Sequence, residues 1–374
     1  MQHHRHSRGR RGRAAGRWRI LPQMAFGIFA AAVIVTRTGA ADKFEAFVAR
    51  SAQNERLGGA LLTLALPGAS FSDEPAQDAA PAGDDAQPPS PGSAPPAQIA
   101  AADSAPPELF PGLPPANVTS VTIGGKDDGY PGSGAVYIQN RSKYDVDIPA
   151  LLGAADGVRL SGDDVQVLIV HTHGSEAYTP DAQHAYTPTD TDRTTDSRYN
   201  VVRVGEEICG VLEARGIKTL HSTLLHDSPA YSGSYNRALD DITARVKAHP
   251  SIKVVIDVHR DAMVTQSGVK YKTVAEVNGE TLAQLMFVCG TDGGGLVHSG
   301  WKNNLSFQMK LQNRLNTACP GLMRPITIRN ERFNQHVTRG SMLLEVGTSG
   351  NSLPEALASA RLFADALADE LLSR

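Results

Sequence analysis

The chain has 374 residues and a formal net charge of −3, with 36 Lys and Arg against 39 Asp and Glu. That length has room for two or three domains. The balanced charge gives no bulk electrostatic case for nucleic acid or for an acidic partner, so neither is expected.

The distribution of charge says more than its sum. The opening segment MQHHRHSRGRRGRAAGRWR is rich in arginine and has no acid, and the apolar run ILPQMAFGIFAAAVIV and then TRTGAAD follow it. A basic flank, an apolar stretch and small residues form an export pattern. We read residues 1–40 as a basic N-terminus with an uncleaved signal-anchor; a cleaved export signal is the alternative. The apolar run from Ile20 to Val35 is short against the ~20 residues of a full span. The arginines before it keep the N-terminus cytoplasmic. A single-pass membrane protein with its folded domain outside the cytoplasm is the expected layout.

Residues 41–118 form a juxtamembrane segment and a linker. From about Pro67 to Asn117 the chain is dominated by Pro, Ala and Asp, with almost no β-branched or aromatic residues. Such a composition buries too little apolar surface to offset its ordering entropy, and its prolines make it semi-extended.

Residues 119–374 carry the folded domain. Strand-like apolar runs occur at 165–170, 217–220, 252–258, 285–289, 326–329 and 342–346. Helical patterns lie between several of them. Val201, Val204, Ile208, Val211 and Leu212 share one face, with Gly216 as the C-cap. Ile242 and Val246 belong to a second helix ending before Pro250, and Phe307, Leu311 and Leu315 mark a third. Leu353, Leu357, Ala360, Phe363, Ala364 and Leu367 mark the last, with Pro354 in its first turn. Alternating strands and helices give an α/β fold: a mixed, mostly parallel sheet sandwiched by helices. Cys209, Cys289 and Cys319 lack zinc-finger spacing and read as small apolar residues. The run GTDGGG, residues 290–295, lacks the lysine of a phosphate-binding loop and reads as a mobile loop.

Sites in open α/β sheets form beyond the carboxyl ends of strands. Three of the predicted strands end in chemistry-bearing residues: VLIV runs into His171-Thr172-His173, VVIDV into His259-Arg260-Asp261, and LLEVG carries Glu345. Two imidazoles, a carboxylate and an open position suit a hydrolytic zinc. His173 and His259 supply the imidazoles, with His171 as an alternative to His173. Glu176 supplies the carboxylate if the loop turns back, with Asp196 as the alternative. Glu345 lies between apolar residues, where an idle carboxylate is costly, and reads as the general base. Asp257 interrupts an apolar strand and reads as a residue that orients a histidine. His184, His221, His249, His298 and His336 read as surface or structural. No serine nucleophile sits in an elbow motif.

At these residues the sequence resembles a known family. VLIVHTHGSEAYTP, DRTTDSRYNVVRVGEEI, HDSPAYSGSYNRA, IKVVIDVHRDA, FVCGTD, WKNNLSFQMKLQ, RFNQH and SMLLEVGTSGNSLPEA follow the order of the stage II sporulation protein P family, over roughly residues 135–373. The resemblance implies a fold like that of the zinc-dependent N-acetylmuramoyl-L-alanine amidases. It implies a peptidoglycan hydrolase that cleaves the amide between muramic acid and L-alanine with zinc-activated water, in remodelling of septal wall during engulfment. Cross-link endopeptidase activity and a lytic transglycosylase partner of the stage II sporulation protein D type are also implied. By motif, His173, His259 and Glu176 are the implied Zn2+ ligands and Glu345 the catalytic residue. Arg260, Tyr235 and Asn334 are implied to line the substrate groove. Phe333 departs from the pattern, since the family usually shows Tyr there. Two other classes compete with it: a wall-binding or scaffold module with a degenerate site, and a metal-free glycosidase. The glycosidase needs two facing carboxylates ~5–9.5 Å apart and leaves the histidines idle.

Overall fold

The computed structural model describes residues 117–124 and 128–374. The expected signal-anchor and all but the last residues of the linker lie outside the described residues. Among the described residues no helix is long and apolar enough to cross a membrane.

Eleven strands and five helices are described. In chain order these are β1 (Val118–Val121), β2 (Gly132–Ser133), β3 (Val136–Asn140), α1 (Ile148–Gly153), β4 (Val167–Val170), α2 (Val201–Ala214), β5 (Thr219–His221) and α3 (Ser234–Ala248). There follow β6 (Val254–Asp261), β7 (Lys270–Val277), β8 (Glu280–Ala283), β9 (Leu285–Gly290), α4 (Trp301–Ala318), β10 (Ile326–Arg329), β11 (Gly340–Thr348) and α5 (Leu353–Leu372). The six predicted strands and four predicted helices are all present. β6 is longer than predicted, so that His259, Arg260 and Asp261 belong to the strand itself. The sequence reading missed β1, β2, β3, β7, β8 and α1.

The main sheet has eight strands in the order β2-β3-β10-β9-β11-β6-β4-β5, and β1-β7-β8 form a small second sheet. The main sheet is mixed and mostly parallel. β11, β6, β4 and β5 run together, as do β9, β10 and β3, and the two sets meet at the antiparallel β9–β11 pair. The carboxyl ends of β4, β6 and β11 therefore share one edge. β11, the last strand, is inserted in the middle of the sheet.

Strand alternation sorts the side chains onto two faces. Val167, Ile169, Val254, Ile256, Val258, Met342, Leu344 and Val346 enter the large core with residues of α2, α4 and α5. Leu168, Val170 and Val255 point the other way, to a smaller cluster with Ile242 of α3. Further along that second face Met286, Val288 and Leu343 pack with Phe333, and Tyr235 joins them. Helices thus cover both faces, unequally. Local signals agree with the packing: Asn200 caps α2, accepting from the Val202 amide. Ser352 and Glu355 form a capping box on α5.

The GTDGGG segment is tied down rather than loose. The Tyr144 hydroxyl donates to Asp292 at 2.6 Å, Lys143 to the Gly293 carbonyl at 3.0 Å, and the Gly294 amide to the Asn330 carbonyl at 2.7 Å. A Cβ on Gly290 would meet the Glu331 carbonyl oxygen at 2.5 Å. That glycine serves close approach of two backbones, a use that composition alone does not separate from mobility.

Candidate active site

β4 ends at Val170, and the chain turns through His171–Glu176 over the edge of the sheet. Glu176 is fixed twice by its backbone: its amide donates to the His173 carbonyl at 3.1 Å, and its carbonyl accepts from the Val201 amide at the start of α2. The turn that brings a glutamate back beside a histidine three residues earlier is thereby held. β6 delivers His259 from the neighbouring strand. His173 Nδ1 is 3.7 Å from Glu176 Oε1, and His259 Nδ1 is 3.5 Å from Glu176 Oε2. One ligand atom from each of His173, Glu176 and His259 lies within 4.8 Å of the others, and all three residues are buried. This is the cluster of metal-ligating character among the described residues.

The alternatives sit elsewhere. His171 points away from the cluster, with Nδ1 3.1 Å from the Val258 carbonyl oxygen and Nε2 2.9 Å from His221 Nε2. Burial and the neighbouring His221 push its pKa down to about 3. Asp196 is held by Arg198 at 2.6 Å, near the surface. His221, expected only as structural, is the partner of His171, and His184 is tied to Asp181.

The surroundings orient the three candidate ligands. The Thr172 amide and hydroxyl donate to the two oxygens of Asp257, at 2.8 and 2.6 Å. Asp257 in turn stands 2.9 Å from His259 Nε2. His173 Nε2 is 3.1 Å from the Ser234 hydroxyl, at the start of α3. A metal-binding histidine is commonly held this way through its second nitrogen. Burial would push the Glu176 carboxyl up, but Arg260 and the two imidazoles outweigh it and hold it well below the usual range. His259 is raised well above an ordinary histidine: Asp257 and Glu176 overcome the opposing effect of burial. Burial pushes His173 down to about 3, leaving a neutral imidazole ready to ligate.

Glu345 faces His259 directly in the β11–β6 register. It keeps part of its surface open, yet its Oε2 is buried and has no hydrogen-bond partner. Burial, with Asp261 and Glu176 adding to it against His259, raises its pKa to about 8. A buried, unsatisfied carboxylate oxygen beside a ligand cluster is costly as structure and useful as a proton carrier.

The three expected groove residues are placed differently. Tyr235 stands edge-on to His173 with ring centroids 5.5 Å apart, and half-buried. Arg260 does not line an open groove. It is 5% exposed, and its guanidinium donates to the carbonyls of Ala177 and Asp192 at 3.0 and 2.9 Å. Its amide donates to Glu176 Oε2 at 3.1 Å. It holds the ligand loop, with Nε and Nη2 committed to backbone carbonyls of that loop. Asn334 also turns inward, donating to the Tyr235 carbonyl at 2.8 Å. Phe333 packs against Tyr235 with centroids 6.0 Å apart, in an apolar seat that needs no hydroxyl.

Arg193 and Asp227 were not singled out from sequence. Arg193 donates to Asp227 Oδ2 at 2.7 Å, to the Ser175 hydroxyl at 3.2 Å and to Glu176 Oε1 at 3.3 Å. Tyr231 stacks on His173 at 4.5 Å, nearly parallel, with the Arg193 guanidinium 5.1 Å from its ring. The motifs DRTTD and HDSPAY contained the signal, but neither sits at a strand end.

The donor set fits a divalent ion of the zinc class. Two imidazoles and one carboxylate converge from two adjacent chain segments, and both histidines have their far nitrogens placed against oxygen atoms.

Stage II sporulation protein P of Bacillus subtilis (strain 168) is 28% identical over 220 residues, which is 56% of this chain and 52% of that protein. The chain thus spans about half the length of that relative. Among solved structures, the N-acetylmuramoyl-L-alanine amidase Ami1 of Mycobacterium smegmatis matches 57% of this chain and 100% of its own, at 12% identity and TM-score 0.35. The amidase AmiC2 of Nostoc punctiforme matches 57% and 97%, at 14% identity and TM-score 0.30. At TM-scores of this size neither likeness bears on function. The model of one family matches residues 125–368, a span that includes His173, Glu176, His259 and Glu345, and by that match the chain belongs to the stage II sporulation protein P family.

Proposed function

We propose that the chain is a peptidoglycan hydrolase of sporulation, a zinc-dependent N-acetylmuramoyl-L-alanine amidase. One observation carries this reading: the buried His173, Glu176 and His259 converge beside Glu345, whose Oε2 has no partner. Family membership supplies the wall as substrate.

His173, Glu176 and His259 would hold the zinc. When bound, zinc supplies a Lewis acid that acidifies water toward pKa ~7 and polarises a carbonyl. The chain's own residues do the rest. Asp257 fixes the ring of His259, and Ser234 that of His173. Arg193 and Arg260 hold the Glu176 carboxylate ionised from the side. Glu345 takes the proton of the attacking water at Oε2 and returns it to the leaving amide nitrogen, which departs as the free amino group of L-alanine. The absence of a partner on Oε2 leaves that lone pair available for the transfer.

The basic and apolar N-terminal segment supports a membrane tether with the hydrolase outside the cytoplasm. Endopeptidase activity and a lytic transglycosylase partner of the stage II sporulation protein D type rest on the family resemblance alone. The test is metal content and product analysis on the full chain with purified peptidoglycan. About one zinc per chain and released stem peptides beginning at L-alanine are expected. No bound metal and no release would end the amidase reading and leave a wall-binding module.

A further inference from the structure

Tyr235 is the second residue of α3. Its ring stands edge-on to His173, with centroids 5.5 Å apart and planes at 83°. It also packs against the cluster of Met286, Val288, Phe333 and Leu343. Met286 faces Glu345 across the β9–β11 pair, and Leu343 lies two residues before Glu345, on the same side of β11. One phenol thus links a candidate ligand to the neighbours of the candidate general base.

The seat of this ring is strained. Phe333 and Asn334 both have left-handed backbones, with φ of 47° and 55°, which a bulky residue such as Phe seldom adopts. That turn brings the Asn334 side-chain amide to the Tyr235 carbonyl at 2.8 Å and the Phe333 ring to 6.0 Å from the tyrosine ring. Strain of this kind collects at functional sites.

The hydroxyl is the unused part of the residue. Tyr144, Tyr178 and Tyr186 donate theirs to Asp292, to the Val346 carbonyl and to the Tyr178 carbonyl, at 2.6, 3.0 and 2.8 Å. The Tyr235 hydroxyl makes no hydrogen bond among the described residues. Other side-chain donors around the cluster are engaged: Arg193 with Asp227, Ser175 and Glu176, and Arg260 through Nε and Nη2. Burial, with the carboxyls of Asp257, Glu345 and Glu176 adding to it, pushes the phenol well above its ordinary 10, so it keeps its proton and remains a donor. A carbonyl oxygen that gains negative charge among carboxylates needs such a donor.

Resting on the amidase reading, we propose that Tyr235 is a second catalytic residue, whose hydroxyl donates a hydrogen bond to the oxygen of the scissile amide as water adds to the carbonyl carbon. The phenol keeps its proton throughout, and Glu345 still carries the proton that moves to the leaving nitrogen. The bond strengthens as charge grows on the oxygen, so it favours the transition state over bound substrate.

The experiment compares wild type with Tyr235→Phe on a soluble muropeptide, with metal content and melting temperature measured alongside. Phe keeps the packing of the ring and removes only the donor. The expected result is a kcat lower by about 100-fold with KM nearly unchanged, at equal metal content and melting temperature. A phosphinate analogue of the amide, which carries the negative oxygen, should bind the variant about tenfold more weakly, while the released stem peptide binds both alike. A rise in KM alone would make the hydroxyl a contact to bound substrate and overturn the proposal. A loss of metal or a lower melting temperature in the variant would make Tyr235 structural and overturn it too. Equal kcat in the two, with wild type active, sinks the role of Tyr235 and leaves the amidase standing. A wild type that loads metal but releases no stem peptide sinks the amidase reading, and this role with it.

Discussion

Glu345 concentrates most of what can be tested at the scale of single residues. Glu345→Gln keeps the shape of the side chain and the metal donors but cannot accept a proton. We expect full metal content and turnover lower by about 100-fold or more; normal turnover with metal bound would remove the general base. The same residue sets a pH dependence in the metal-free chain. Its folded pKa of about 8 lies above the ordinary 4.5, so the folded state retains a proton that the unfolded state gives up. The cost of Glu345 is absent below pH ~4.5 and grows until pH ~8. His259, also raised, contributes stability that is full below its ordinary value of 6.5 and is lost as pH rises through its folded pKa. Both make metal-free protein less stable toward alkaline pH. Glu345→Gln should gain on wild type in melting temperature as pH rises from 5 to 8; a constant gap between the two would show that burial does not load this carboxyl. Asp257→Asn tests the orientation of His259, with an expected loss of 10–100-fold in zinc affinity. Of these residues, the histidines and Glu345 were legible because each breaks an apolar run with a group that such a run does not tolerate idle. Choosing His173 over His171 was not decided by strand periodicity, since the turn after Val170 sets which ring faces inward. Arg260 was legible as part of a motif, but its bonds to the Ala177 and Asp192 carbonyls were not, because sequence does not tell where a guanidinium donor is aimed.

Elements constrain the site through close packing. α2 crosses β4 and β5 so tightly at Gly205 that a Cβ there would meet His171 Nε2 at 2.6 Å and His221 Nε2 at 2.8 Å. Gly205→Ala is therefore expected to cost about 1–3 kcal/mol, measured as a lower denaturant midpoint; an unchanged midpoint would mean that the His171–His221 pair moves freely. Near-continuous apolar runs made β4, β6, β9 and β11 readable, since strands buried on both faces admit few polar residues. β3 was missed although Val136 and Ile138 are buried and Tyr137 and Gln139 are not, for five residues of alternation are a weak signal. β7 has only three buried positions among eight and pairs in the small sheet, where exposure erases the pattern. The α3 start, which carries Ser234 and Tyr235 to the site, has no side-chain cap to announce it.

For the whole molecule, a metal at the proposed site would be linked to the fold. A ligand that binds only the folded state at 100 times its Kd adds about 2.7 kcal/mol. Chelation should lower the melting temperature of wild type by several degrees and leave His259→Ala unmoved; equal responses would place the metal elsewhere. A mixed, mostly parallel sheet was foreseen, but the place of its antiparallel β9–β11 pair was not. A sequence of strands and helices leaves open where two parallel sets meet head to tail, because register is a property of pairs. The central position of β11 has a further meaning if the chain is the hydrolase proposed above. His173 and His259 precede Glu345 in the chain, and Glu345 comes on β11, the last of the described strands, which pairs with β6 on one side and β9 on the other. A chain still being synthesised, or cut short before residue 345, has no working proton carrier. On the proposed reading, lytic power would wait until β11 is in place between β6 and β9.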